Sequence, residues 1–286
     1  MRRTLLAGEV MDVLYYTHML ARNTLMASGD ATFEEYLVLL DAALQKVSTP
    51  KELAHLLDVE PERLAQAAET CEVAGFLQRT RSPLDRRLPG FTATAEGRRK
   101  ALVLNKLLMT VACDFWRTDK AGVRTLVAAV EPFQRLSPAQ WPESPEASIS
   151  LRSLCALFHL WTDYRRFSAK FWLSFSEMHM LTITYQFGPQ PNHPLYRDRN
   201  MFASNDYAAN VMLASEKGLM EDDGQHFHLT ETGRQKMKAM LASCETATPQ
   251  KEAKEEGPLP RLHRLCVAMT AHAMANGTDL YRGTLE

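Results

Sequence analysis

The side chains best placed to act together in this sequence are arginines. Between positions 79 and 100 the chain carries Arg79, Arg81, Arg86, Arg87, Arg98, Arg99 and Lys100 against only Asp85 and Glu96. The formal net charge of the whole chain is -1, but local rather than global charge decides whether a polyanion is attracted. Just upstream, Arg63 and Gln66 lie early in an apolar-periodic segment that opens at Pro61. Arginine pairs with guanine and glutamine with adenine, so these types at a helix start suit base edges in the major groove. Glu60 and Glu62 flank them; acid is unfavourable beside phosphate, although it also complements the positive end of a helix. The chemistry these residues suit is recognition of double-stranded DNA.

Other groupings point elsewhere and more weakly. His226 and His228 alternate on one strand face, but zinc needs three or four ligands and no third stands out nearby, so no metal is expected. Tyr15, Tyr16 and His18 in the first helical segment, with Phe115 and Trp116 near the end of the fifth, form one candidate pocket for a small aromatic effector; His159, Trp161 and Tyr164 offer a second. Aromatics at helical spacing more commonly fill a core. The five cysteines, at 71, 113, 155, 244 and 266, form no C-x-x-C pair and are odd in number, which argues against disulfides and zinc and fits a reducing cytoplasm. No P-loop, G-x-S-x-G, G-x-G-x-x-G or H-E-x-x-H is present, so neither catalysis nor a cofactor is expected. No stretch reaches the roughly 18 apolar residues of a membrane span, and Glu9 and Asp12 interrupt any signal-peptide core.

The elements that must position these groups come in two rounds. A capping box at Thr32-Phe33-Glu34-Glu35 is echoed by Ser174-Phe175-Ser176-Glu177, a stop at Gly75-Phe76-Leu77 by Gly218-Leu219-Met220, and Thr94-Ala95-Glu96-Gly97-Arg98 by Thr230-Glu231-Thr232-Gly233-Arg234. The offsets, 142, 143 and 136 residues, keep one order and say that the second copy is seven residues shorter between the last two landmarks. Copy one reads as helices ending at Gly29, then from Phe33, from Pro50 and from Pro61 to Gly75, a two-stranded hairpin over 76–94, and helices near 95–118 and 121–136. Copy two reads as helices near 148–172 and 175–187, a helix-turn-helix over 193–217, a tight hairpin over 218–229, and helices near 230–244 and 261–276. The boundaries expected are 1–137 for the first unit, a Pro-rich linker over 138–147, and 148–286 for the second, with a polar, flexible 245–260 segment.

From Ser48 to Lys100, copy one resembles the DNA-binding core of the MarR family. That family's pattern is a short helix, a turn, a recognition helix closed by a Gly-aliphatic pair, and a wing. The wing has an Asp-x-Arg tip and ends in Leu-Thr-x-x-Gly-Arg. The matching residues are Gly75-Phe76-Leu77, Asp85-Arg86-Arg87 and Thr94-Ala95-Glu96-Gly97-Arg98, with Ala93 in place of the leucine. The resemblance implies a mainly helical protein with small β-hairpin wings, two tandem winged helix-turn-helix units forming an intramolecular pseudo-dimer. It also implies a bacterial, cytoplasmic, DNA-binding transcriptional regulator responsive to a small aromatic ligand, working as one chain or a dimer of chains. Arg63, Gln66, Arg79, Arg81, Arg86 and Arg87 would then contact DNA, with Asp85 holding Arg87 so that Arg86 reaches the minor groove. Copy two departs from the pattern. Its recognition segment offers Asn205, Asp206, Tyr207 and Asn210, and its wing, Glu221-Asp222-Asp223-Gly224-Gln225, is acidic. Weak or asymmetric contact by that copy is expected. The competing expectation is a protein-interaction module, an anti-repressor or adaptor, on a degenerate DNA-binding surface.

Overall fold

The computed structural model describes residues 6–45, 47–82, 87, 89–133, 151–191, 211–244 and 258–278. The chain is mainly helical with two small antiparallel sheets, and it divides into two compact units. One comprises residues 20–160; the other comprises 1–19 and 161–286. Helices α1 (Gly8–Ser28) and α7 (Leu151–Ala169) each give residues to both. Among the described residues no helix is long and apolar enough to cross a membrane.

In the unit of residues 20–160, α2 (Phe33–Leu44) is the central element. Thr32 caps it as a capping box: the Glu35 N–H donates to Thr32 Oγ1 at 3.1 Å, and the Thr32 N–H donates to Glu35 Oε2 at 2.7 Å. Against α2 pack α4 (Pro61–Val73) and α5 (Ala95–Trp116), while α3 (Pro50–Leu57) lies on α4. Asp58 turns the chain between α3 and α4 in the left-handed region (φ 56°), with the Val59 N–H returning to the Ala54 carbonyl. Pro50 and Pro61 open their helices where a missing N–H costs nothing. Leu37, Leu57, Leu64 and Leu104 are fully buried here, each contributing about 2 kcal/mol by leaving water. Leu154, Cys155 and Phe158 at the start of α7 complete this core.

After α4, Gly75 adopts φ 77° and releases the chain into β1 (Leu77–Arg81), which pairs antiparallel with β2 (Pro89–Ala93), Leu77 facing Ala93 and Arg81 facing Pro89. Phe91 on β2 is bridged on its other side by Ser48, each N–H donating to the other's carbonyl at 2.7 Å. Thr94 then caps α5 through the Gly97 N–H, and α6 (Lys120–Val130) and a short 3-10 turn (Glu131–Phe133) follow. Both helices after the hairpin end earlier than their expected limits of 118 and 136.

In the other unit, Ser174 caps α8 (Phe175–Phe187) with the same box, Glu177 answering at 2.7 and 3.1 Å. Strand β3 (Gln190–Pro191) pairs with β5 (His226–Leu229), which pairs with β4 (Met220–Asp222), giving the order β3-β5-β4. Residues 211–216 are helical ahead of Gly218 (φ 66°). Thr230 caps α9 (Glu231–Ser243) through the Gly233 N–H, and α10 (Pro258–Ala275) begins three residues before the expected start at 261.

A shared close approach explains one glycine in each unit. A Cβ on Gly97 would sit 2.0 Å from the Phe76 carbonyl oxygen, and one on Gly233 would sit 2.1 Å from that of Leu219. Those carbonyls accept the Thr94 and Thr230 N–H groups at 3.0 and 3.1 Å. The helix after each hairpin is thus drawn onto the residue just before the first strand.

Candidate nucleic-acid interface

The α3-turn-α4 pair followed by the β1–β2 hairpin, with Ser48 as a minimal third strand, is a winged helix-turn-helix arrangement. A cleft of about 370 Å³ opens between α4 and the hairpin, lined by Pro50, Lys51, Pro61, Ala65, Glu69 and Phe91 among others. Gln66 is exposed on α4 and free of the core that holds Leu64, Ala67 and Ala68. Arg81 ends β1 and is exposed; among the described residues it has no salt bridge. Arg87 is exposed and has interactions of its own. Arg86 and Asp85 lie outside the described residues, as do Asn205, Tyr207 and Asn210.

Two of the expected DNA-contacting arginines are held by carboxylates. Arg63 Nη2 lies 2.6 Å from Glu34 Oε1 on α2, an oxygen that Arg22 also approaches at 3.5 Å. Arg79 grips Glu72 with Nη2 and Nε at 2.7 and 2.9 Å from Oε2, stands 3.8 Å from Glu69, and lays its guanidinium 5.2 Å from the centre of the Phe91 ring. The hydrogen bond from Arg79 holds the Glu72 carboxyl below the usual carboxylate range. These arginines therefore tie helix to helix and wing to helix, and the exposed flank of α4 keeps Glu62 and Glu69 beside Gln66, with Glu60 exposed at the N-cap. Lys100 is likewise committed, 2.9 Å from Asp30.

The second hairpin has a different surface. Met220, Phe227 and Leu229 turn inward and are buried, while Glu221, His226 and His228 take the opposite face. The turn is fastened by Asp223, whose Oδ1 accepts the Gln225 and His226 N–H groups at 2.8 and 2.7 Å. Its Oδ2 stands 2.7 Å from His228 Nε2. The His226 N–H foremost, then that of Gln225 and the His228 ring, bring its carboxyl down to about 2.

The aromatic residues separate. Tyr15, Tyr16 and His18 are buried in the unit of residues 1–19 and 161–286. Tyr15 lies 4.9 Å from His179 and His18 stacks 4.5 Å from Trp161, which in turn meets Phe175 at 4.3 Å. Inside this cluster His179 Nε2 lies 2.7 Å from Asp12 Oδ1, and both side chains are buried. Phe115 and Trp116 belong to the other unit, ring against ring at 4.9 Å. Trp116 is fully buried there, and its indole N–H has no acceptor among the described residues. Of the five residues expected to line one pocket, three lie in the unit of residues 1–19 and 161–286 and two in the unit of residues 20–160. His159 approaches Cys155 Sγ, whose thiol is pushed up to about 12 by burial.

Part of the chain is similar to several solved structures. A MarR-family transcriptional regulator from Rhodococcus sp. RHA1 aligns over 34% of this chain and 68% of its own, at 22% identity and a TM-score of 0.31. The YusO protein from Bacillus subtilis aligns over 36% and 72%, at 18% identity and 0.31. CouR from Rhodococcus jostii RHA1, solved with p-coumaroyl-CoA, aligns over 44% and 85%, at 20% identity and 0.33. No family model matches the chain, and no curated protein does.

Proposed function

We propose that the chain is a sequence-specific DNA-binding transcriptional regulator of MarR type, with two winged helix-turn-helix copies fused in tandem as a pseudo-dimer. The observation that carries the reading is the winged arrangement of α3, α4, β1 and β2, with Gln66 exposed on the second helix and Arg81 and Arg87 exposed on the wing. Recurrence supports the tandem form. Capping boxes at Thr32 and Ser174, left-handed glycines at 75 and 218, and threonine caps at 94 and 230 make the same local bonds in both units. Ser48 pairs with Phe91 as Gln190 pairs with Phe227, at the same spacing as the neighbouring landmarks.

The first copy supplies most of the grip, because the second wing carries Glu221, Asp222 and Asp223 where phosphates would lie. An uneven operator follows, since half-site symmetry mirrors protein symmetry. A small aromatic effector would act through the buried Tyr15, Tyr16 and His18 cluster. Changing Arg81 and Arg87 together to alanine should abolish a mobility shift on the intergenic DNA beside the gene. An unchanged shift would remove the reading.

The closing of Arg63 on Glu34 and of Arg79 on Glu72 favours a second reading, a winged-helix adaptor that binds a protein through the acidic flank of α4. In that case the arginine variant leaves partner capture intact, and Glu62→Lys with Glu69→Lys destroys it.

A further inference from the structure

We propose that the outward face of the β4–β5 hairpin is a binding site for one divalent transition-metal ion of the zinc class, held by Asp223, His226 and His228. Two-residue periodicity brings His226 and His228 to one face of β5, and the antiparallel register sets Glu221 opposite His228 on that same face. The tight turn then folds Asp223 back beside them. Its carboxylate and the two imidazoles each offer one ligand atom, and these atoms lie within 4.8 Å of one another. Ligand atoms around a tetrahedral ion with bonds of about 2.0–2.2 Å stand roughly 3.4 Å apart, so small rotations of partly exposed side chains close the set.

The site is built rather than accidental. Asp223 is fixed by two backbone N–H groups on Oδ1, which leaves Oδ2 aimed at His228 Nε2. Oriented ligands of this kind, with a second carboxylate oxygen hydrogen-bonded, are what a metal centre requires of its outer shell. The ion would take the place of the contact between Oδ2 and Nε2, with the Nε2 lone pair on the metal and the single proton of the neutral imidazole on Nδ1. Two nitrogens and one carboxylate oxygen suit Zn²⁺, Co²⁺ or Ni²⁺ and are a poor set for Mg²⁺ or Ca²⁺, which want oxygen. A fourth position stays open for water, with Glu221 the nearest further carboxylate by register. The buried partners of this strand, Phe227 and Leu229, lie on the opposite face, so the site can be altered without touching the core. The two charges of the ion would offset those of Glu221, Asp222 and Asp223, the acids that set this hairpin apart from β1–β2. The site itself does not depend on whether the chain binds DNA.

The test is a titration of the full-length, metal-free, reduced protein with Co²⁺, read by its d–d absorption and by calorimetry, followed by competition with Zn²⁺. One equivalent should bind, without thiolate-to-cobalt charge transfer. His228→Ala and the His226→Ala/His228→Ala pair should lose more than the roughly 10–100-fold that removal of an outer-shell partner costs. Asp223→Asn should weaken binding, while circular dichroism stays that of the parent. The proposal is overturned if the parent binds no cobalt, if the double histidine variant binds it equally well, or if the spectrum reports cysteine ligation.

Discussion

Replacing Asp41 by asparagine should stabilise the protein at neutral pH and leave it unchanged in acid. Asp41 is 1% exposed near the end of α2, where Ser48 Oγ and Gln45 Nε2 both donate to its carboxylate. Burial dominates these two hydrogen bonds and, with some help from Glu52, pushes its carboxyl up from 3.8 to about 6. The folded state therefore holds the proton more tightly than the unfolded chain. Its contribution to stability is complete below about 3.8 and is lost as pH rises through about 6. At 1.36 kcal/mol per unit the loss is about 3 kcal/mol, taken as an upper figure. Asparagine keeps an acceptor for Gln45 and offers its NH₂ to Ser48, whose hydroxyl can reverse from donor to acceptor. Urea unfolding of both proteins, followed by far-ultraviolet circular dichroism from pH 4 to 7.5, isolates the term as a difference. The variant should gain 1–3 kcal/mol above pH 6.5 and nothing near pH 4, on this ~3 kcal/mol scale. A variant less stable at pH 7.5, or a difference that does not vary with pH, refutes the reasoning.

Other outcomes follow from the same geometry. Gly97→Ala and Gly233→Ala each place a methyl 2.0–2.1 Å from a backbone carbonyl oxygen, and each should cost about 3 kcal/mol or more in chemical denaturation. Thr32→Ala and Ser174→Ala remove capping boxes and should each cost about 1 kcal/mol by the same measurement. Cys113 is half-buried whereas the other four thiols are buried, so Ellman's reagent should modify one equivalent in the native protein, and Cys113→Ser should abolish that phase. If DNA is bound through roughly six phosphate contacts, affinity should fall about a thousandfold between 50 and 200 mM salt in a mobility-shift series.

The local devices were legible in the sequence because each is written in neighbouring residues. A capping box needs four consecutive positions, and the threonine caps of α5 and α9 and the left-handed Gly75 and Gly218 sit where type and spacing place them. What is not legible depends on partners far along the chain or across a turn. Nothing near Arg63 announces that Glu34 will take it, and His179 and Asp12 meet across 167 residues. The Ser48 bridge is not legible because one residue of strand has no periodicity to read. In sequence Asp223 is only one acid of a wing; its bond to His228 exists because the turn folds back upon itself. Helical spacing shows that Tyr15 and Phe115 each face something apolar and does not name the partners.

That α1 and α7 each serve two cores has a consequence for anyone who cuts this protein. A gene broken between positions 134 and 150 would yield a leading fragment without Leu154, Cys155 and Phe158, and a trailing one without Met11, Leu14 and Tyr15. Each piece would expose a greasy slot shaped for a helix carried by its sister. Coexpressed, the fragments should rescue one another as a split pair; expressed singly, both should go to inclusion bodies.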